Sequence, residues 1–419
     1  MEPIPQVATS DVYPPVQEEV SRLAGSPEVR AAFDRFRSQE SQFAVWQMEA
    51  TRVAAPPFGE TARAVWLAER FRELGLEDVH LDEVGNVFGI RPGYGKPLVA
   101  LSAHLDTVFP ATTPLNIRRE GSRLYGPGVS DNGAGIAAML AVVSVLSSAR
   151  ISHALPFLFI GNVGEEGEGD LRGMRQVFAT PRWRDAIGYS VIVDGAGSDT
   201  VVAEALGSRR FEVMVRGPGG HSWSDFGAPN PIIALSRAIE LFSQTPVPAS
   251  PKTTFNVGVI RGGTSVNSIP ESANMRVDLR STSMSEIDRL ERALRVALEQ
   301  ALASENLTVA AQSGTRRPQG LQSEVIEIGN RPAGELPADS RLLKVIRAVD
   351  TQLGNTAQVQ RASTDANIPL SLGREAIAIG GGGSGGGAHT LQEWFDCNGR
   401  ELGLKRILLT MLTLSGARE

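Results

Sequence analysis

His104, Asp106, Asp131, Glu165, Glu166, Asp194 and His389 are the residues of this 419-residue sequence whose types and positions could carry chemistry. His104 and Asp106, in LSAHLDTV, are two apart, so they point the same way if the extended conformation of the preceding apolar run persists. Asp131, in GPGVSDNGAG, stands just before a helical pattern; Glu165 and Glu166, in GNVGEEGEGD, follow a second apolar run; Asp194 ends VIVDG; His389 follows the glycine run of GGGGSGGGAHTLQEWFD at 380–396. Imidazole and carboxylate together suit zinc or a related divalent ion such as Mn2+ or Co2+, and the number of carboxylates suits more than one ion. If Asp131, Glu166 and Asp194 bind as anions, a pair of divalent ions keeps one positive charge. A bridging hydroxide would neutralise it, and such a hydroxide is the nucleophile a hydrolase needs.

The glycine run admits other readings. Gly382, Ser384 and Gly386 spell Gly-x-Ser-x-Gly, the pattern of a serine-hydrolase elbow, but that needs a sharp strand-to-helix turn, and His389 follows too closely in sequence to sit opposite the serine. A phosphate loop needs Gly-Lys-Ser/Thr at its end, and no lysine occurs between Lys344 and Lys405. A plain linker would not run from a buried strand straight into AHTLQEWF. The reading that remains is backbone slack and close approach, which glycine permits, bringing His389 inward.

These residues need elements to position them. Apolar residues recur at helical spacing over 28–48 and 60–74, with Gly75 closing the second helix. VHLDEVGNVFGI alternates like a hairpin around Gly85-Asn86, while LVALS, LPFLFIG and SVIVDG read as short buried strands, with the helix GIAAMLAVVSVLSS between the first two. This alternation predicts an α/β domain with a mainly parallel sheet, whose sites form beyond the carboxyl ends of the strands. From residue 207 the pattern becomes β-α-β-β-α-β: SRRFEVMVRG, NPIIALSRAIELFSQ, TTFNVGVIRGG, ESANMRVDLRS, SEIDRLERALRVALEQALA and NLTVAAQSG, the ferredoxin-like order. After 318 the first texture returns, with a helix over 340–353, the strand EAIAIG and a closing helix ELGLKRILLTMLTLSG. The expected organisation is a catalytic domain in two parts, 1–206 and 318–419, interrupted by a smaller α+β domain at 207–317.

A net charge of −6 and the lack of a dense Lys/Arg cluster give no footprint for nucleic acid. No apolar run reaches the length of a membrane span, and the first twenty residues lack a basic start and apolar stretch, so no membrane is expected and a cytoplasmic location follows by default. The single cysteine, Cys397, excludes an intramolecular disulfide and reads as a small buried hydrophobe. His80, in a hairpin, and His153, in a polar turn, read as surface residues, and Glu168 and Asp170 as loop solvation.

SAHLDTV, GPGVSDNGAGIAAML, GNVGEEGEG, VIVDG, GPGGHS and GGAHTLQEW, in this order and flanking a ferredoxin-like insertion, resemble the dinuclear zinc metallopeptidase family of peptidase T, aminoacylase-1 and carboxypeptidase G, from about residue 55 onward. The resemblance implies that His104 and Asp194 hold one zinc, Glu166 and His389 the other, and that Asp131 bridges them across a cis Asp131–Asn132 peptide bond. It implies that Asp106 accepts the free N–H of His104 and that Glu165 is the general base. The insertion would be a lid and dimerisation domain. His221, in GPGGHS, would hydrogen-bond the oxyanion in the partner subunit's site, and Asn267 and Arg280 would bind the substrate's carbonyl or carboxylate. Arg280 alone would otherwise read as half of a surface ion pair. Gly133 departs from the family, many of whose members carry lysine there. The implied activity is hydrolysis of an amide bond in a di- or tripeptide, the alternative being deacylation of an N-acyl amino acid on the same metal set. Readings of other classes are a serine hydrolase resting on Ser384 and a binding protein that retains the fold without catalysis.

Overall fold

Runs of apolar residues bounded by Gly, Pro and polar turns become the middle of one sheet. The computed structural model describes residues 2–3, 14–312 and 320–416. The chain divides into two compact units, Met1–Ala205 with Gly334–Glu419, and Leu206–Ala333.

In the first unit, Leu98–His104 lies between Phe157–Asn162 and Ile187–Val193 and is parallel to both, and Glu375–Ile379 extends the parallel set beside Ile187–Val193. The hairpin Glu77–Leu81 and Val87–Arg91 closes one edge, antiparallel to Phe157–Asn162. Thr200–Ala205 and Gln358–Ala362 continue the sheet on the other side. The fold class is therefore α/β with a mainly parallel centre. The strand Phe157–Asn162 is buried along its whole length, as a strand covered on both faces must be. Gly133–Ser148 carries almost no polar side chains because it is enclosed, packing on the central strands and against helices Glu40–Arg52 and Arg400–Ser415. The helix expected over 28–48 breaks at Gln39, whose φ of −102° and ψ of 11° leave the helical range. The break gives Pro27–Ser38 and Glu40–Arg52, which meet edge-on through Phe36 and Phe43.

The second unit is a four-stranded antiparallel sheet in the spatial order Thr253–Gly262, Ser272–Ser281, Gly207–Arg216, Gln322–Arg331, carrying helices Pro231–Ser243 and Met284–Gln312. Second, third, first, fourth is the ferredoxin-like arrangement. Its last strand is not NLTVAAQSG. No glycine or proline interrupts residues 284–312, so the helix runs on to Gln312, and residues 313–314 of that stretch lie outside the described residues. The pairing of Gln322–Arg331 with Gly207–Arg216 moves the return to the first unit from 318 to Gly334.

Candidate metal centre

All five ligand candidates belong to the first unit. His104 ends its strand, Asp131 precedes the buried helix, Glu166 follows Phe157–Asn162, Asp194 follows Ile187–Val193, and His389 comes ten residues after Glu375–Ile379. Parallel strands end together, so their following loops converge. His104, Asp131 and Asp194 form one set of donor atoms within 4.8 Å of one another, and Asp131, Glu166 and His389 form another. Asp131 is common to both. Its Oδ1 lies 3.1 Å from His104 Nε2 and its Oδ2 3.1 Å from His389 Nε2, which is also 2.9 Å from Glu166 Oε1; Asp194 Oδ1 lies 3.8 Å from His104 Nε2.

Charge is concentrated here. Hydrogen bonds to Asp131 and Glu166 push the His389 imidazole up to about 10. Burial alone would lower His104, but its bonds to the surrounding aspartates hold it well above its ordinary value. Asp131, though half-buried, is held far below the usual carboxylate range by the two histidines. The residues present fit two divalent cations: mixed imidazole and carboxylate donors, an excess of acid, and one carboxylate with an oxygen facing each set.

The surrounding residues fix the ligands. Asn132 is fully buried; its Oδ1 accepts the N–H groups of Gly135 and Gly195, and its Nδ2 donates to Val193 O, tying the Asp131 loop to the end of the strand before Asp194. The Asp131–Asn132 peptide bond is cis. A side chain at Gly133 would press on Thr51 Oγ1 and Gly128 O, so no lysine fits there. Asp106 has further partners beside the expected one. Its Oδ1 and Oδ2 accept the N–H groups of Glu165 and Glu166, at 2.9 and 2.7 Å. Its Oδ1 also lies 3.7 Å from His104 Nδ1, which faces the Asp106 backbone oxygen at 3.1 Å. Glu165 is buried beside Glu166 but belongs to neither donor set.

The glycine run is structured. Ser384 opens the strand Ser384–Gly386, paired with Trp394–Asp396, so it is not at a strand-to-helix turn and the serine-elbow reading lacks its geometry. His389 has a φ of 65°, unusual for a residue with a side chain. Glu393 was not singled out in the sequence, although it stands in GGAHTLQEW four residues after His389. It is fully buried and accepts three backbone N–H groups from the Asp131 loop.

The remaining candidates belong to the second unit. His221 pairs with Ser268, and Ser222 N–H donates to Asn267 O, so His221 and Asn267 come together on one small two-stranded antiparallel sheet. His221 Nδ1 accepts the Trp223 N–H at 3.2 Å, which leaves the proton of a neutral ring on Nε2 as an outward donor. Arg280 Nε donates to Asp278 Oδ2 at 2.6 Å, so the ion-pair reading describes one side of this guanidinium. His153 corrects the surface expectation: it is buried, donating from Nδ1 to Leu155 O and accepting from Arg91 Nε at Nε2.

The model of peptidase family M20/M25/M40 matches residues 100–412. A probable carboxypeptidase of Aspergillus clavatus is 32% identical over 208 residues, 45% of each chain. The chain thus spans about half the length of that curated relative. The aminopeptidase PepT of Bacillus cereus superposes with a TM-score of 0.70 at 20% identity, covering 90% of this chain and 99% of that one. A Bacillus subtilis protein described as a dinuclear metal binding peptidase gives 0.66 at 15% identity, covering 90% and 99%. At these identities the structures show a shared fold, while the family match covers most of the chain, including every ligand candidate: the chain belongs to peptidase family M20/M25/M40.

Proposed function

We propose that the chain is a dinuclear zinc exopeptidase that hydrolyses an amide bond in small peptides, di- or tripeptides above all. The observation that carries this reading is the pair of donor sets sharing Asp131. His104 and Asp194 would hold one ion, Glu166 and His389 the other, with Asp131 between. The chemistry that two bound divalent ions supply is polarisation of the scissile carbonyl and a lowered pKa of water. Glu165 takes the proton of the attacking water on its carboxylate and passes it to the leaving amine. Asp106 fixes the backbone on which Glu165 and Glu166 stand. His221 donates from Nε2 to the developing oxyanion, and Asn267 and Arg280 orient the substrate's carbonyl or carboxylate.

The reading includes a homodimer through the inserted unit, with His221 acting in the partner's site. It is supported by the strand Thr253–Gly262, which lies at a sheet edge with much of its length exposed. It also includes a cytoplasmic location, supported by the lone Cys397, which needs no oxidising compartment; among the described residues no helix is long and apolar enough to cross a membrane.

The test is a screen of dipeptides, tripeptides and N-acetyl amino acids with zinc-loaded protein, run with and without a chelator. Chelator-sensitive release of amino acids from peptides is expected. Release from N-acetyl amino acids alone would make the chain a deacylase, and turnover indifferent to chelators would sink the metal reading.

A further inference from the structure

The sequence places His389 and Asp131 some 258 residues apart, yet the metal reading needs them at one point. A small four-stranded sheet brings their loops together. Ser384–Gly386 pairs with Trp394–Asp396, which pairs with Arg123–Tyr125, which pairs with Arg118–Glu120. The hairpin loop between the first two strands carries His389, and the segment leaving Arg123–Tyr125 carries Asp131. At the root of both loops lies Glu393, with no exposed surface. Its Oε2 accepts Gly128 N–H at 2.7 Å, and its Oε1 accepts Ser130 N–H at 2.7 Å and Asp131 N–H at 2.8 Å. Its own backbone oxygen accepts Gly126 N–H at 3.0 Å. On the other side, Glu393 N–H donates to Thr390 O, and Thr390 is tied to Gly387 through both its N–H and its hydroxyl, so the turn bearing His389 is braced against the same residue.

We propose that Glu393 is a positioning residue for the metal centre: it locks the Asp131 loop to the His389 loop, so that the carboxylate shared by both donor sets and the imidazole of one set are presented together. This rests on the metal reading above. Three short bonds from backbone N–H groups to one buried carboxylate are charge-assisted, and no neutral side chain replaces them all. A glutamine would put an NH2 group against at least one N–H donor, and an aspartate is one methylene too short to keep all three. Partners that hold ligands in place typically govern metal affinity by about 10- to 100-fold. Loosening Glu393 should therefore weaken ion binding while leaving every ligand present.

The experiment titrates the full-length, chelator-treated protein with Zn2+ by calorimetry and with Co2+ by visible absorption, for wild type, Glu393→Gln and Glu393→Asp. Unfolding of the ion-free proteins is measured alongside. Wild type should bind two ions; the variants should bind with affinity lowered about 10- to 100-fold and with an altered Co2+ spectrum, both larger than the change in ion-free stability explains. Unchanged affinity and spectrum in a folded variant would overturn the proposal. Should neither variant fold, hydrogen exchange of the wild-type protein decides: the amides of Gly128, Ser130 and Asp131 must be protected, and exchange at the rate of open loop amides overturns it. A wild-type protein that binds no ion defeats the metal reading instead, and the same exchange data still tell whether the clamp exists.

Discussion

Glu165 and Glu166 are adjacent in the chain and equally buried, yet only Glu166 reaches the donor sets. Glu165→Gln should retain two ions per chain while turnover falls by about 10²- to 10⁴-fold, and Glu166→Gln should lose or weaken one ion and recover partly when that metal is in excess. Metal analysis beside a rate assay separates the two; the reverse pattern would exchange base and ligand. A second residue-scale prediction concerns pH. Burial lowers the pKa of His153, whose Nε2 already accepts from Arg91 and so has no room for a proton beside that cation. The unfolded chain, with the ordinary value of 6.5, binds that proton more readily than the fold does. His153 therefore contributes stability that is present above 6.5 and lost as pH falls through its lower folded value. Thermal unfolding at pH 7.5 and 5 should show a smaller acid loss for His153→Gln than for wild type.

The glycine run shows what an element demands of its residues. Gly382 has a φ of 85°, and a side chain there would run into the backbone of Arg400. Gly75 has a φ of 81° and closes helix Thr61–Glu73, but nothing lies within 4 Å of its missing Cβ. Alanine at Gly75 should cost about 1 kcal/mol, the backbone term alone. Alanine at Gly382 should cost about 2–4 kcal/mol, because collision adds to the backbone term. Urea unfolding of the two variants checks this; equal costs would mean that the run is as slack as its composition suggests.

The insertion is grafted at a single point of the first unit. Gly334 pairs with Ala205, so the chain leaves and re-enters at neighbouring positions of one strand pair. Replacing residues 207–333 by a short Gly/Ser turn should leave a folded unit that binds two ions, since every ligand candidate remains. If His221, Asn267 and Arg280 contact substrate, as proposed, amide turnover should fall at least a hundredfold, roughly the loss expected for an oxyanion donor alone. Retained turnover in the shortened protein would remove the inserted unit from the chemistry.

Local pattern by itself determined the four central strands of the sheet, the hairpin around Gly85-Asn86 and the places where polar residues leave buried strands, because apolar period and turn chemistry are properties of neighbouring residues; the strands Thr200–Ala205 and Gln358–Ala362 were not among them. It therefore named seven candidate residues, and the ordered motifs pointed to a family whose resemblance implied which five of them are ligands. Tertiary structure decided the rest. The last strand of the insertion became Gln322–Arg331 because pairing with Gly207–Arg216 is a long-range contact that outweighs the strand-like look of NLTVAAQSG. His153 was buried by packing on Phe157 from outside its own turn. Asp106 took two backbone N–H groups some 60 residues away in addition to facing the imidazole near it in sequence. Glu393 was illegible for the same reason: its three partners are about 260 residues distant, and no periodicity records a carboxylate whose donors arrive only when two remote loops fold onto each other.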